Sequence, residues 1–188
     1  MQSIKVDGKS PLNGTVNTSG SAISASKLIL ASLYATEDVV LHNVPRVSFT
    51  EADISLIEAL GGECTWLDKN KLKINTSGVN THRIPFELGS KNRIALLATG
   101  PLLYRFGKAV IPKPVNTRQK ANPVDRFISV WEDLGFVVTE DSDWIRLEST
   151  EATPKNISFK TSTHTGTENA ILSSLFLSLI HISEPTRP

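Results

Sequence analysis

Two cations stand directly before an apolar stretch near the middle of the chain. Lys91 and Arg93 lie in the polar run 90–93, and the apolar residues that follow are typical of a helix that stops at Gly107. A helix start presents unpaired backbone N–H groups and a partial positive charge, which suit an anion. Because the helix dipole disfavours cations at this end, their presence indicates an anionic ligand. A solvated basic helix end is the alternative interpretation.

A second basic segment follows further along the chain. Residues 112–122 hold two prolines and the three cations Lys113, Arg118 and Lys120. Loops beside a rigid scaffold often carry function, so this run predicts a binding loop; a solvated basic linker is the alternative. Pro123 suits the first turn of the next helix, where its missing N–H costs little.

The amino-acid composition limits which classes of protein this chain can belong to. The chain has 188 residues, of which 39% are hydrophobic and 21% charged, enough for a sizeable core in a globular, soluble domain. A formal net charge of +1 gives no strong field for a nucleic acid or a membrane surface. No apolar run is long enough to span a bilayer. We therefore expect neither a nucleic acid nor a membrane as partner.

The cysteine content and the N-terminal residues indicate where in the cell the protein is expected. Cys64 is the single cysteine, which rules out an internal disulfide framework and fits a reducing cytoplasm. Residues 1–6 show no basic region followed by an apolar run, so no signal peptide is visible. We expect a cytoplasmic protein in which Cys64 is a small core residue rather than a nucleophile.

Apolar spacing and turn residues predict alternating helices and strands. We expect Thr50 to begin the second helix, with Asp53 completing a capping box. The predicted helices cover about residues 22–35, 50–60, 90–106, 123–134 and 170–176, and the predicted strands cover residues 4–6, 12–16, 38–42, 63–67, 72–74, 108–111, 136–139, 144–147 and 157–160.

The order of these elements repeats. Leu60-Gly61 and the hairpin after it recur 74 residues later at Leu134-Gly135, and Leu33-Tyr34 recurs 70 residues later at Leu103-Tyr104. Each unit reads helix, strand, helix, strand, strand, and a third copy opens near Thr167. Repeats of this size must pack on one another to bury their apolar faces. The fold class is therefore α/β, built of pseudo-symmetric copies; the hairpins between helices do not suit a doubly wound sheet.

An ordered set of motifs runs along nearly all of residues 1–176. The motifs are Leu41-His42-Asn43-Val44-Pro45, Ser90-Lys91-Asn92-Arg93, Gly100-Pro101-Leu102-Leu103-Tyr104-Arg105-Phe106-Gly107, Pro123-Val124-Asp125 and Thr167-Glu168-Asn169. The set resembles the N-terminal part of the UDP-N-acetylglucosamine 1-carboxyvinyltransferase family, the enolpyruvyl transferases that begin peptidoglycan precursor synthesis. The related 5-enolpyruvylshikimate-3-phosphate synthase family shares the fold but fits these motifs less well.

The resemblance implies a fold and a reaction. Members have two inside-out α/β barrel domains, each of three βαβαββ-type repeats in pseudo-threefold arrangement, with the active site in the cleft between them. Residues 1–18 would be strands that join the second domain, and residues 19–176 would form the first. The family moves the enolpyruvyl group of phosphoenolpyruvate to the 3-hydroxyl of UDP-N-acetylglucosamine, releases phosphate and needs no organic cofactor.

The resemblance also implies substrate-binding residues. Arg93 matches the family arginine that contacts the UDP-sugar, and the run Pro123, Val124 and Asp125 matches the end of a loop that also holds it. Cations in the same region that we expect to assist are Lys91, Arg118 and Lys120. The residues that fall where members bind the nucleotide diphosphate, although their types differ, are Thr163, His164 and Thr165.

Other family positions are not matched. Ala22 and Ile23 stand where members have a Lys-Asn pair that serves phosphoenolpyruvate, and Asn122 stands where an arginine precedes the proline. The loop of residues 113–123 lacks the cysteine that fosfomycin alkylates in this family, so the proton donor stays unassigned. These departures leave open a non-catalytic paralogue that binds a UDP-sugar or another nucleotide.

The last residues depart from the family pattern. Residues 177–188 resemble the translation of a sequencing-library adapter, and a genuine polar tail is the alternative. On the first interpretation the gene is truncated before the second domain. We then expect the 188-residue chain itself to have no transferase activity, because half of the cleft is missing.

Overall fold

A computed structural model of the chain describes residues 13–115, 124–150, 157–159 and 163–181, together with the isolated residues 5, 8 and 11. The α-helices are α1 (Ala22–Ala31), α2 (Ser48–Ala59), α3 (Phe86–Gly89), α4 (Thr99–Phe106), α5 (Asp125–Asp133) and α6 (His164–His181). The strands are β1 (Val39–Leu41), β2 (Glu63–Asp68), β3 (Lys71–Asn75), β4 (Lys108–Pro112), β5 (Val137–Glu140) and β6 (Trp144–Glu148). Short 3-10 helices cover Ser32–Tyr34 and Arg93–Ala98.

Two similar three-stranded antiparallel sheets confirm the predicted repeat. Their strand orders are β1-β3-β2 and β4-β6-β5. In each sheet the last strand of the hairpin, β3 or β6, is central, and it pairs on its other side with the strand that precedes the helix, β1 or β4. Val39 pairs with Ile74 in the first sheet, and Ala109 pairs with Leu147 in the second. Both predicted hairpins are therefore present, and each unit reads helix, strand, helix, strand, strand.

The helices that precede the hairpins end in the same way. Gly61 has a φ of 99° and Gly135 a φ of 86°, the left-handed region that favours glycine. The amide of Gly61 donates to Glu58 O and that of Gly135 to Glu132 O, both at 2.9 Å. The next amide in each unit donates a second hydrogen bond of 3.0 Å back to the helix, from Gly62 to Ile57 O and from Phe136 to Trp131 O. This pair of bonds is the Schellman motif, so the repeat at a spacing of 74 extends to the backbone.

One face of each sheet is buried against the helices. The side chains of Leu72 and Ile74 in β3, and of Ile145 and Leu147 in β6, are buried in alternation with more exposed neighbours. The helices of the two units contact one another, because α1 packs on the 3-10 helix Arg93–Ala98 and α4 on the 3-10 helix Ser32–Tyr34. A single apolar core therefore joins both units.

Helix α6, which the sequence predicts to open a third unit, packs on the second unit. A Cβ added to Gly100 in α4 would lie 2.6 Å from the carbonyl oxygen of Leu172, so the two backbones are in direct contact. The indole Nε1 of Trp131 donates to Asn169 Oδ1 at 3.1 Å and to Ser173 Oγ at 3.2 Å. These contacts fix α6 against both α4 and α5.

Several sequence predictions differ from the structure. Helix α2 begins two residues earlier than predicted: Val47 precedes its first turn, and Thr50 instead accepts a hydrogen bond from the Val47 amide at 3.3 Å. The predicted α-helix after Asn92 begins as a 3-10 helix, with α-helical bonding only from Thr99. Residues 13–16 and 157–159 lie outside any strand, and Val16 is 87% exposed, so strands predicted from apolar alternation there are wrong for these residues.

The predicted domain limits stay predictions. Most of residues 1–12 and all of 182–188 lie outside the described residues, and residues 13–20 carry neither helix nor strand. Helix α6 begins at His164, before the predicted start at residue 170, and its backbone continues through His181, past the predicted end at residue 176. Among the described residues, no helix combines the length and the apolar character that crossing a membrane requires.

Candidate functional site

Arg93 is held at the start of its 3-10 helix by a defined turn. Asn92 caps this helix, because its Oδ1 accepts a hydrogen bond from the Ile94 amide at 3.0 Å. The Arg93 side chain is half-buried, and its Cζ lies 5.4 Å from the centre of the Phe127 ring in α5. Burial, followed by the charge of Arg126, lowers the pKa of Arg93. The result is an oriented guanidinium over an aromatic face, with a second cation nearby.

The basic loop begins and ends beside this arginine. The Val115 amide donates to the carbonyl oxygen of Ser90 at 2.8 Å, which places the start of the loop next to the turn that carries Arg93. At the other end, Val124 is buried and caps α5, the helix that presents Phe127. The predicted site residues within the loop, namely Arg118, Lys120 and Pro123, lie outside the described residues.

Lys91 has a different environment from Arg93. Its Nζ lies 3.4 Å from Glu87 Oε2, and both side chains are more than 70% exposed, at 75% and 79%. An exposed pair of this kind contributes little to stability. Lys91 and Asn92 line a shallow groove of about 300 Å³ between the start of α2 and α3. Lys91 is therefore exposed at the surface beside this groove.

The predicted diphosphate-binding residues form the first turn of α6. Thr163 caps the helix, because its Oγ1 accepts a hydrogen bond from the Gly166 amide at 3.2 Å, and His164 is exposed. Helix α6 packs on α5 and on the 3-10 helix of Arg93, so the elements that carry the predicted residues meet. Within the described part of the chain, the hydrogen bonds of Thr163, His164 and Thr165 stay inside this turn, with none to Arg93.

Asp125 and Lys27 are two further charged residues on these helices and their neighbours. Asp125 lies exposed in the first turn of α5, where a carboxylate suits the helix dipole. Lys27 of α1, a residue that the sequence analysis did not single out, lies 3.0 Å from Glu168 Oε1 in α6, and both side chains are largely buried. This ion pair links α1, the helix that opens the first unit, to α6.

The sequence analysis assigned the wrong role to Asp53. The carboxylate does not serve the start of α2; it is fully buried and accepts hydrogen bonds from Ser26 Oγ in α1 and, at 2.8 Å, from Asn92 Nδ2. Burial raises the pKa of Asp53 to about 6, although both hydrogen bonds oppose the rise. The available signal was an acidic residue next to the apolar face of Ile54 and Ile57.

We expect Asp53→Asn to reduce the pH dependence of stability. A carboxyl with a folded-state pKa of about 6 and an unfolded value near 3.9 stabilises the fold fully below about pH 4, and this contribution is lost as the pH rises through 6. Between pH 5 and 7, the unfolding free energy of the natural chain should fall by about 1 kcal/mol more than that of the variant. Urea unfolding at both pH values measures this, and parallel curves would contradict it.

The single cysteine should resist alkylation. Burial, with Glu58 adding to it, raises the pKa of Cys64 to about 12, so almost no reactive thiolate exists at neutral pH. We expect the folded chain to form no adduct with fosfomycin or iodoacetamide, and the urea-unfolded chain to react with iodoacetamide readily. Intact-mass spectrometry reads both, and a fosfomycin adduct on the folded chain would show the prediction to be wrong.

The fold places the chain in a known class. The enolpyruvyl transferase NikO from Streptomyces tendae has a similar structure, with a TM-score of 0.71 at 19% identity over 87% of this chain and 38% of that one. EPSP synthase from Acinetobacter baumannii gives a TM-score of 0.64 at 13% identity over 93% of this chain and 41% of that one. The chain thus has the α/β fold of these enzymes.

Sequence comparison gives the family. The family model for EPSP synthase (3-phosphoshikimate 1-carboxyvinyltransferase) matches residues 6–186, and the chain belongs to this family. Curated relatives named UDP-N-acetylglucosamine 1-carboxyvinyltransferase include those of Campylobacter hominis, 32% identical over 172 residues, and Lawsonia intracellularis, 33% identical over 172 residues. These alignments cover 92% of this chain and 41% of each relative. The resemblance found in the motifs is confirmed, and the chain spans less than half the length of these relatives.

Proposed function

We propose that the full-length protein transfers the enolpyruvyl group of phosphoenolpyruvate to the 3-hydroxyl of UDP-N-acetylglucosamine, the first committed step of peptidoglycan precursor synthesis. Curated relatives at 31–33% identity that carry the name of this enzyme support the proposal. We further propose that the chain supplies the first of two inside-out barrel domains, works in the cytoplasm and needs no organic cofactor.

The observation that carries the proposal is the placement of Arg93. The guanidinium lies over Phe127 of α5, the helix that follows the basic loop, and Ser90, three residues before Arg93, accepts a hydrogen bond from Val115 at the start of that loop. Both substrates are anionic, and a planar guanidinium donates paired hydrogen bonds to phosphate. We propose that Arg93 contacts the UDP-sugar. The further residues proposed to bind substrate are Lys91, Arg118, Lys120, Pro123, Val124, Asp125, Thr163, His164 and Thr165.

Phosphate release tests the proposed reaction. The full-length protein should release phosphate from phosphoenolpyruvate only when UDP-N-acetylglucosamine is present, and the product should gain the mass of the enolpyruvyl group. The 188-residue chain should release none above a control without enzyme, because the proposed second half of the cleft is missing. Full-length protein that binds the nucleotide sugar but releases no phosphate would exclude the transferase.

That last outcome would favour a second candidate, a non-catalytic paralogue that binds a UDP-sugar. The start of α1 supports this candidate, because Ala22 and Ile23 occupy its first turn, Ile23 is 63% exposed, and the turn holds no charged side chain. A phosphoenolpyruvate-binding lysine is thus missing where the family resemblance places it. Cys64 is the only cysteine of the chain, so residues 113–123 provide no thiol either.

A further inference from the structure

The buried carboxylate of Asp53 joins three elements at one point. It lies on α2 with no exposed surface, and it accepts one hydrogen bond from Ser26 of α1 and another from the Asn92 side chain. The apolar residues Ile54 and Ile57 next to it are buried in the core, so its position is fixed with that of α2.

Both polar atoms of the Asn92 side-chain amide form hydrogen bonds. Its Nδ2 donates to Asp53 Oδ1 at 2.8 Å, and its Oδ1 accepts from the Ile94 amide at 3.0 Å. Since the two bonds are made by opposite atoms of one planar group, they fix its rotation. The peptide of Arg93 lies between the capping side chain and the capped amide. The direction in which the Arg93 side chain leaves the backbone therefore depends on this link.

From this geometry we infer that Asp53 is a positioning residue of the Arg93 site. It acts through Asn92 to hold the turn that presents the Arg93 guanidinium over Phe127. It touches no substrate itself. The inference rests on the proposed function, in which Arg93 binds the UDP-sugar.

Three variants separate this role from simple stabilisation. Asn92→Ser keeps an oxygen that can cap Ile94 but is too short to reach Asp53. Asp53→Asn keeps an oxygen that accepts from Asn92, while its new amide group can donate to Ser26. Ser26→Ala is the matched control, because it removes the other hydrogen bond of the same carboxylate and leaves the bond to Asn92 in place.

Two measurements on the 188-residue chain test the inference. The first is the NMR shift of the Arg93 Nε–H group, which senses the Phe127 ring; the second is the dissociation constant for UDP-N-acetylglucosamine. Asn92→Ser should move the shift and weaken binding about tenfold, the scale of one lost hydrogen bond. Asp53→Asn and Ser26→Ala should leave the shift in place and change affinity less than about twofold, even where Ser26→Ala lowers stability.

The outcomes separate this inference from the proposed function. An Asn92→Ser chain with an unchanged Arg93 shift overturns the inference, and so does an Asp53→Asn chain that loses as much affinity as Asn92→Ser. If the natural chain and the full-length protein both fail to bind UDP-N-acetylglucosamine, the proposed function fails. In that case the Arg93 shift alone decides whether Asp53 positions the arginine.

Discussion

Replacement of Arg93 by methionine should weaken binding of UDP-N-acetylglucosamine about 30-fold, which corresponds to about 2 kcal/mol for a charged hydrogen bond to phosphate. Methionine keeps apolar contact with Phe127 but loses the charge and every donor. Because the Phe127 ring orients the guanidinium, little of its binding energy is spent on ordering the side chain. Isothermal titration of the 188-residue chain measures the change.

Lys91→Met compares Arg93 with the exposed cation that is also proposed to bind substrate. Lys91 lies two residues away and also carries a positive charge, but its side chain is 75% exposed and pairs with Glu87. Its loss should weaken binding less than about threefold, because solvent and salt screen an exposed charge. Arg93→Lys should fall between the two, because lysine keeps the charge without the planar donors. Equal losses for Lys91→Met and Arg93→Met would contradict a specific role for Arg93.

Gly100→Ala should destabilise the chain by about 3 kcal/mol, at the upper end of the usual cost of overpacking. The added methyl carbon would lie 2.6 Å from the Leu172 carbonyl oxygen and 2.8 Å from the Ser173 Cα. Both are backbone atoms that cannot move aside by a change of rotamer. The helices α4 and α6 must separate instead, which loosens the packing of α6.

Urea unfolding and amide exchange measure this effect together. The exchange of α6 amides should accelerate most, while those of β3 in the first sheet should keep their protection. Ser55→Ala is a suitable control, since this exposed hydroxyl of α2 bonds only to its own helix at Glu51 O. That variant should shift stability by less than about 0.5 kcal/mol. A Gly100→Ala chain as stable as this control would mean that α4 and α6 do not meet at Gly100.

Local signals in the sequence were enough to predict most of the architecture. A glycine with positive φ ends α2 and α5 where Gly61 and Gly135 predicted it, and Gly107, with a φ of 67°, ends α4. These positions are predictable because the left-handed conformation excludes most other residues. The two hairpins followed from alternating apolar residues around short polar turns, and the repeat followed from the order of the elements.

The errors arose where tertiary contacts overrode local preference. Asp53 has the spacing of a capping residue relative to Thr50, yet it is buried by α1 and by the turn at Asn92, which are distant in sequence. The 3-10 start at Arg93 could not be inferred from composition, because its apolar residues are equally suited to an α-helix. Of the predicted site, the placement of Arg93 beside α5 needed the fold, and the middle of the basic loop stays a prediction.

One contact of α6 has a consequence for spectroscopy. Trp131 has no exposed surface, and its indole N–H is bonded to Asn169 and Ser173, whereas Trp66 and Trp144 are partly exposed. The chain therefore carries an intrinsic fluorophore whose emission wavelength and shielding from acrylamide report whether α6 is packed on the second unit. Truncated or extended versions of the protein can be compared optically for this seating without any attached label.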